Sequence, residues 1–211
     1  MNIEKLKEYE SEFLEQYPNG FDDRNFSSIM KTYNPIKLEE FAKEALKKEN
    51  FQNPSLVVDG FFKVVHKSVF VSVFDKLKLK DMIATLNSYE KDMLSIEIYE
   101  LLYGNKKKGF EGLVEFLSEY KLAKWTIISV VPYCINRHQD YFIKPTTTKN
   151  IIKTFELEDC IYKTKPSFEF YDKYTKALDI MKSSIDKSLS PDNVGFTAFL
   201  KVAIESYEET Y

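Results

Sequence analysis

Glycine and proline are scarce in this chain, six and seven among 211 residues. An all-β fold draws on both at its many turns, so their scarcity argues for helices. Cysteine is limited to Cys134 and Cys160. Two thiols make no disulfide framework, their spacing fits no metal-ligand pattern, and a reducing compartment is the simplest setting. His66 and His138 are the only histidines; they are far apart and lack a third ligand, so no metal site is expected. Long apolar runs are missing too. The longest, residues 125–133, is too short to cross a bilayer. The N-terminal MNIEKLKEYESEF has no signal-peptide apolar stretch. The expectation is a cytoplasmic protein with no membrane partner and no cofactor.

What is present is a large apolar and aromatic fraction, 44% and 15%, spread along the chain. That suffices for one continuous core. Apolar residues at helical spacing mark a helix over 3–17, stopped by Pro18-Asn-Gly20. Asp22 and Asp23 are placed to cap a helix running to about residue 33, and Pro35 opens the next. Further helices are expected over 56–68, 78–86, 88–103, 110–120, 123–134, 145–155, 167–187 and 192–207. The helix over 123–134 is expected to break near Pro132. Residues 69–74 read either as a short strand or as a continuing buried helix, and 140–144 and 160–165 read as extended. No repeat or long linker divides the chain. The expected fold is mainly α, a single compact multi-helix domain over 1–211, with room for one short strand pair.

Charge is distributed unevenly. Residues 121–154 hold five lysines and Arg137 against Asp140, a local +5 in a chain of net −3. The rest therefore sums to −8, and such a split points to a surface that meets something anionic. At its centre is Lys144-Pro-Thr-Thr-Thr-Lys149. Proline suits a first helical turn because it has no amide hydrogen to leave unpaired. The free N–H groups and partial positive charge of a helix start bind anions. On this reading Thr147, Thr148 and Lys149 offer N–H groups to one phosphate, Thr146 adds a hydroxyl, and Lys144 is a second donor. Lys121 and Lys124 flank this site, beside Trp125, which is expected to be a core anchor. Arg137 completes the set of candidate ligand-binding residues. The segment lacks the glycines of a phosphate-wrapping loop.

Other chemistry-bearing residues give less. His138 lies in a polar turn, and His66 is expected in the core or half-buried. Cys134 is expected to be buried and inert, and Cys160 to be held as a thiol by Glu158 and Asp159. Asp59 is placed to pair with Lys63, and Asp75 lies within apolar sequence. No carboxylate pair has the apolar setting of a tuned general acid, and no catalytic residue is assigned.

Tyr17-Pro-Asn-Gly-Phe-Asp22, Tyr120-Lys-Leu-Ala-Lys-Trp125, Phe142-Ile-Lys-Pro-Thr-Thr-Thr-Lys149, Pro166-Ser-Phe168 and Asn193-Val-Gly-Phe-Thr-Ala-Phe-Leu200 together resemble a family of bacterial proteins without an assigned activity. Over the central third the order of apolar and basic positions is also similar to the helix-hairpin-helix DNA glycosylases. The resemblance concerns shape: their Gly-x-Gly is missing from residues 119–124, and Pro145 stands where the catalytic aspartate would be. Three readings follow: a binding protein for a nucleic acid or a phosphorylated small molecule, a DNA- or nucleotide-processing enzyme using Asp140 or His138, and a helical protein-interaction module. The net negative charge disfavours broad nucleic-acid binding.

Overall fold

Trp125–Ile135 is apolar around its whole circumference, and such a helix is stable only where every side meets protein. It lies at the centre of the fold, with ten of its eleven residues buried. The computed structural model describes residues 1–23 and 35–210, with side chains to residue 206. Ten α-helices occur among them: α1 (Ile3–Gln16), α2 (Pro35–Ala45), α3 (Pro54–Lys67), α4 (Val73–Thr85), α5 (Ser88–Tyr103), α6 (Lys106–Glu119), α7 (Trp125–Ile135), α8 (Pro145–Thr154), α9 (Phe168–Ser183) and α10 (Asn193–Thr210). The helix expected after Asp22 and Asp23 lies outside the described residues. Helices α2, α3 and α6 pack on α7, α5 pairs closely with α6, and α10 packs on α8 and α1. One apolar core runs through all of them. No described helix is long and apolar enough to cross a membrane.

Caps explain most of the boundaries. Asn2, Asn53, Ser72, Asn105 and Ser167 each accept a first-turn amide of the helix that follows. Asn87 caps α5 in a reciprocal box with Glu90. Helix α1 ends at Gln16 with Tyr17 as its C-cap, and Gly20, at φ +54°, opens the short 3-10 turn that follows.

Four expectations are corrected. Residues 69–74 form neither a strand nor a continuing buried helix: a turn leads into α4, which starts at Val73 because Ser72 caps it, and Val69, Val73 and Phe74 are exposed. The other two extended stretches stay unpaired, so the described residues contain no strand pair. Helix α6 starts at Lys106, four residues early, despite three lysines in a first turn that repels cations. Lys106 pairs with Asp140, and Lys108 meets Glu100 at 3.0 Å, which offsets the repulsion. Pro132 sits inside α7 without ending it. Proline removes the amide that would meet the Ile128 carbonyl, and burial of ten of the eleven residues holds the helix in place.

Glycines on α6 let it approach α5 closely. A Cβ at Gly109 would lie 2.0 Å from the Leu101 amide nitrogen, and one at Gly112 would lie 2.0 Å from Glu97 Oε2. Glu97 Oε2 is buried there without a hydrogen-bond partner. Burial pushes this carboxyl above its ordinary value, with Lys108 opposing and Glu100 and Glu115 adding to the rise. Gly109→Ala should destabilise the protein by about 3 kcal/mol in urea unfolding, because backbone must move. Gly112→Ala should cost less, since a carboxylate can swing away. A raised folded pKa means stability is lost as pH climbs from the unfolded value of Glu97 to its folded one. Glu97→Gln should therefore match wild type in acid and exceed it at neutral pH.

Candidate anion-binding site

The start of α8 is set by a buried return segment. After α7, a turn on Asn136 brings in Asp140, whose carboxylate is enclosed. Asp140 takes an ion pair from Lys106 and a hydrogen bond from the Tyr171 hydroxyl at 2.8 Å. The Tyr141 hydroxyl donates to Asp179 at 2.7 Å, and the Ile143 amide donates to Ser129 Oγ at 2.9 Å. These bonds leave Lys144 as the N-cap residue and Pro145 in the first turn of α8. Helix α10 is tied to the same segment. Its Asn193 amide donates to the Arg137 carbonyl at 3.0 Å, and its Asn193 Nδ2 donates to the Asp140 carbonyl at 3.1 Å.

One consequence is a cleft between α8 and α10 of about 160 Å³, lined by Lys144, Thr146, Thr147, Asn150, Lys201, Ile204 and Glu205. The Thr148 amide donates to the Lys144 carbonyl at 2.9 Å, so the helix ladder begins there. Free first-turn amides therefore belong to Thr146 and Thr147, not to Thr148 or Lys149. Thr148 is buried. Lys144 is exposed. Lys201 pairs with Glu205 at 2.5 Å across one helical turn, an exposed pair that holds neither side chain firmly.

The expected cations divide. Lys144 stands at the cleft. Lys149 turns to another flank of α8, its ammonium 5.9 Å from the centre of the Tyr162 ring. Lys124 forms an ion pair with Asp75 at the start of α4. Lys121 is exposed at the end of α6, where it takes the left-handed conformation usually given to glycine (φ 56°). Arg137 lies between two carboxylates, with Nε donating to Glu39 at 2.6 Å and Nη1 to Asp192 at 3.0 Å. Burial alone would raise Glu39, but hydrogen bonds from Lys43 and Arg137 outweigh it and hold the carboxyl below its ordinary value. The recess beside Arg137, where the buried Tyr133 hydroxyl has no partner, encloses about 10 Å³, room for one water at most.

The remaining candidates are structural or exposed. Trp125 is buried, and its Nε1 donates to the Lys163 carbonyl at 2.8 Å. Burial pushes the Cys134 thiol up to about 12. Burial and then Asp159 raise Cys160. Asp59 pairs with Lys63 at 2.5 Å. His138 is exposed, and so is His66, which lies on the outer side of α3 against Phe62 instead of in the core. Among the described residues no cluster of histidine, cysteine and carboxylate side chains can hold a metal ion. Sequence reasoning missed Asn150 and Lys201. Lys201 carries the signal of an ordinary i,i+4 surface pair, and nothing local marks its approach to α8. No family model, curated protein or solved structure matches the chain.

Arg137→Ala would leave Asp192 buried and uncompensated. It should lower stability by about 3 kcal/mol at neutral pH. Glu39 stabilises the fold above its unfolded pKa, and that contribution fades as pH falls through its depressed folded value. The gap between variant and wild type in urea unfolding should narrow over the same acid range.

Proposed function

We propose that this protein binds a phosphate-bearing ligand at the start of α8, with the phosphoryl group in the α8–α10 cleft. One observation carries the reading. Cations from two helices, Lys144 and Lys201, line the same cleft as the two residues whose amides are left free, Thr146 and Thr147. A phosphoryl oxygen there accepts from the Thr146 and Thr147 amides, Lys144 adds a charge-assisted bond, and Asn150 adds a neutral donor. Lys201 joins by releasing Glu205.

Size and charge favour a small phosphorylated molecule, such as a nucleotide, over a long nucleic acid. The cleft is below the ~300–1,000 Å³ usual for a whole bound small molecule, so the rest of the ligand lies outside it. Lys124 and Arg137 are already paired with carboxylates, which leaves few cations to track a polyanion. The enzyme reading has less support, since Asp140 is enclosed by Lys106 and Tyr171.

Titration calorimetry with inorganic phosphate tests the proposal. Saturable binding is expected for wild type. Lys144→Glu should weaken it roughly tenfold or more, and Glu205→Gln should strengthen it by removing the opposing carboxylate. Arg137→Ala, if folded, should bind as wild type does. Equal affinity in wild type and Lys144→Glu, or no binding in either, would reject the site. A steep fall in affinity for single-stranded DNA with rising salt, in proportion to many phosphate contacts, would favour the nucleic-acid version.

A further inference from the structure

Helix α4 is joined to the fold chiefly through α3. Its inner face carries Asp75, Leu79 and Met82, all buried, and Leu86 just beyond continues it. A surface helix normally turns polar residues outward. Here the outer face carries Val73, Phe74 and Leu77, exposed by 72%, 63% and 55%. Leu77 lies at i+4 from Val73 and at i+3 from Phe74, so both neighbour it on the helix surface. Val69, in the turn before the helix, is also exposed.

The charges beside this apolar face are mostly positive. The Lys78 ammonium stands 4.6 Å from the centre of the Phe74 ring, and Lys80 is exposed on the same outer side. Lys76 bonds back to the Ser68 carbonyl at 2.6 Å. Asp75 is turned inward and neutralised by Lys124, so Asp81 is the one acid of α4 left on the outer face.

We infer that the outer face of α4 docks on an anionic lipid surface. Phe74, Leu77 and Val73 enter the boundary of the acyl region, while Lys78 and Lys80 reach the headgroups along their flexible stems. The shape favours lipid over a protein helix. An amphipathic partner helix lies in a groove, whereas these side chains project from the convex side of a single helix. Lying on a surface needs no spanning segment, so the absence of one does not oppose it. The chain as a whole is net −3, which opposes approach to an anionic membrane. Binding therefore depends on both local cations and apolar insertion, and it is reversible.

The test is flotation of the full chain with two vesicle preparations, phosphatidylcholine alone and phosphatidylcholine with an equal part of phosphatidylserine. At low salt the protein should float with the mixed vesicles and partition roughly tenfold less to phosphatidylcholine, and high salt should release it. The double variants Phe74→Ser with Leu77→Ser, and Lys78→Glu with Lys80→Glu, should each lose roughly tenfold or more in partitioning. All four side chains are exposed, and an unchanged circular dichroism spectrum shows that the fold is kept. Ile161→Ser, which removes an exposed apolar side chain elsewhere, should float as wild type does. Absence from the mixed vesicles overturns the inference, as does an equal loss in Ile161→Ser. So does conversion of a dimer to a monomer by Phe74→Ser with Leu77→Ser in vesicle-free solution, which would make the face a protein contact.

Discussion

Burial of α7 is the constraint that arranges the rest. A helix with no polar side must be enclosed, and both of its ends must then find partners for the cations that adjoin them. Lys124 precedes the helix and meets Asp75, while Arg137 follows it and meets Glu39 and Asp192. The enclosure also fixes the return path. Ser129, a polar residue within α7, accepts the Ile143 amide at 2.9 Å and so sets where the chain emerges before Lys144. A buried Ile143 amide left without that bond would cost about 1–3 kcal/mol, which favours this single path over alternatives.

The same enclosure divides the positive charge of the central segment. Cations adjoining α7 are drawn to carboxylates that the fold brings to the helix ends, and they stabilise structure. Lys144 adjoins α8 instead, at the surface, where the first-turn amides of Thr146 and Thr147 are free. The local +5 is therefore not a single basic face. Lys124 and Arg137 are paired with carboxylates, Lys149 lies against Tyr162, and Lys144 stands at the cleft. Helix α4 is seated by its Leu79 and Met82 side, and Val73, Phe74 and Leu77 on its other side are exposed.

Much of the fold could be read from local signals. Asn53 before Pro54, Ser167 and Pro145 mark helix starts through capping and proline geometry, and the structure places helices there. Burial of Trp125 and the single mainly α core were also legible. The start of α6 was not, because its three lysines oppose the helix dipole and are offset by Asp140 and Glu100 from other elements. The start of α4 was obscured by β-branched residues that favour a strand locally, and the Ser72 cap decided otherwise. Within the candidate site, Lys144 and the threonines were visible as a helix tip. The pairings that engage Lys124 and Arg137 join residues 49, 98 and 55 positions apart, and no local pattern reports such contacts.

Anion binding at α8 depends on which backbone amides are free of the helix ladder. Amide NMR of the ¹⁵N-labelled protein, titrated with inorganic phosphate, reads this residue by residue. The Thr146 and Thr147 signals should move together and saturate, with Asn150 following and the amides of Lys124 and Arg137 still. Movement centred on Arg137 or Lys124, with Thr146 and Thr147 unchanged, would contradict it.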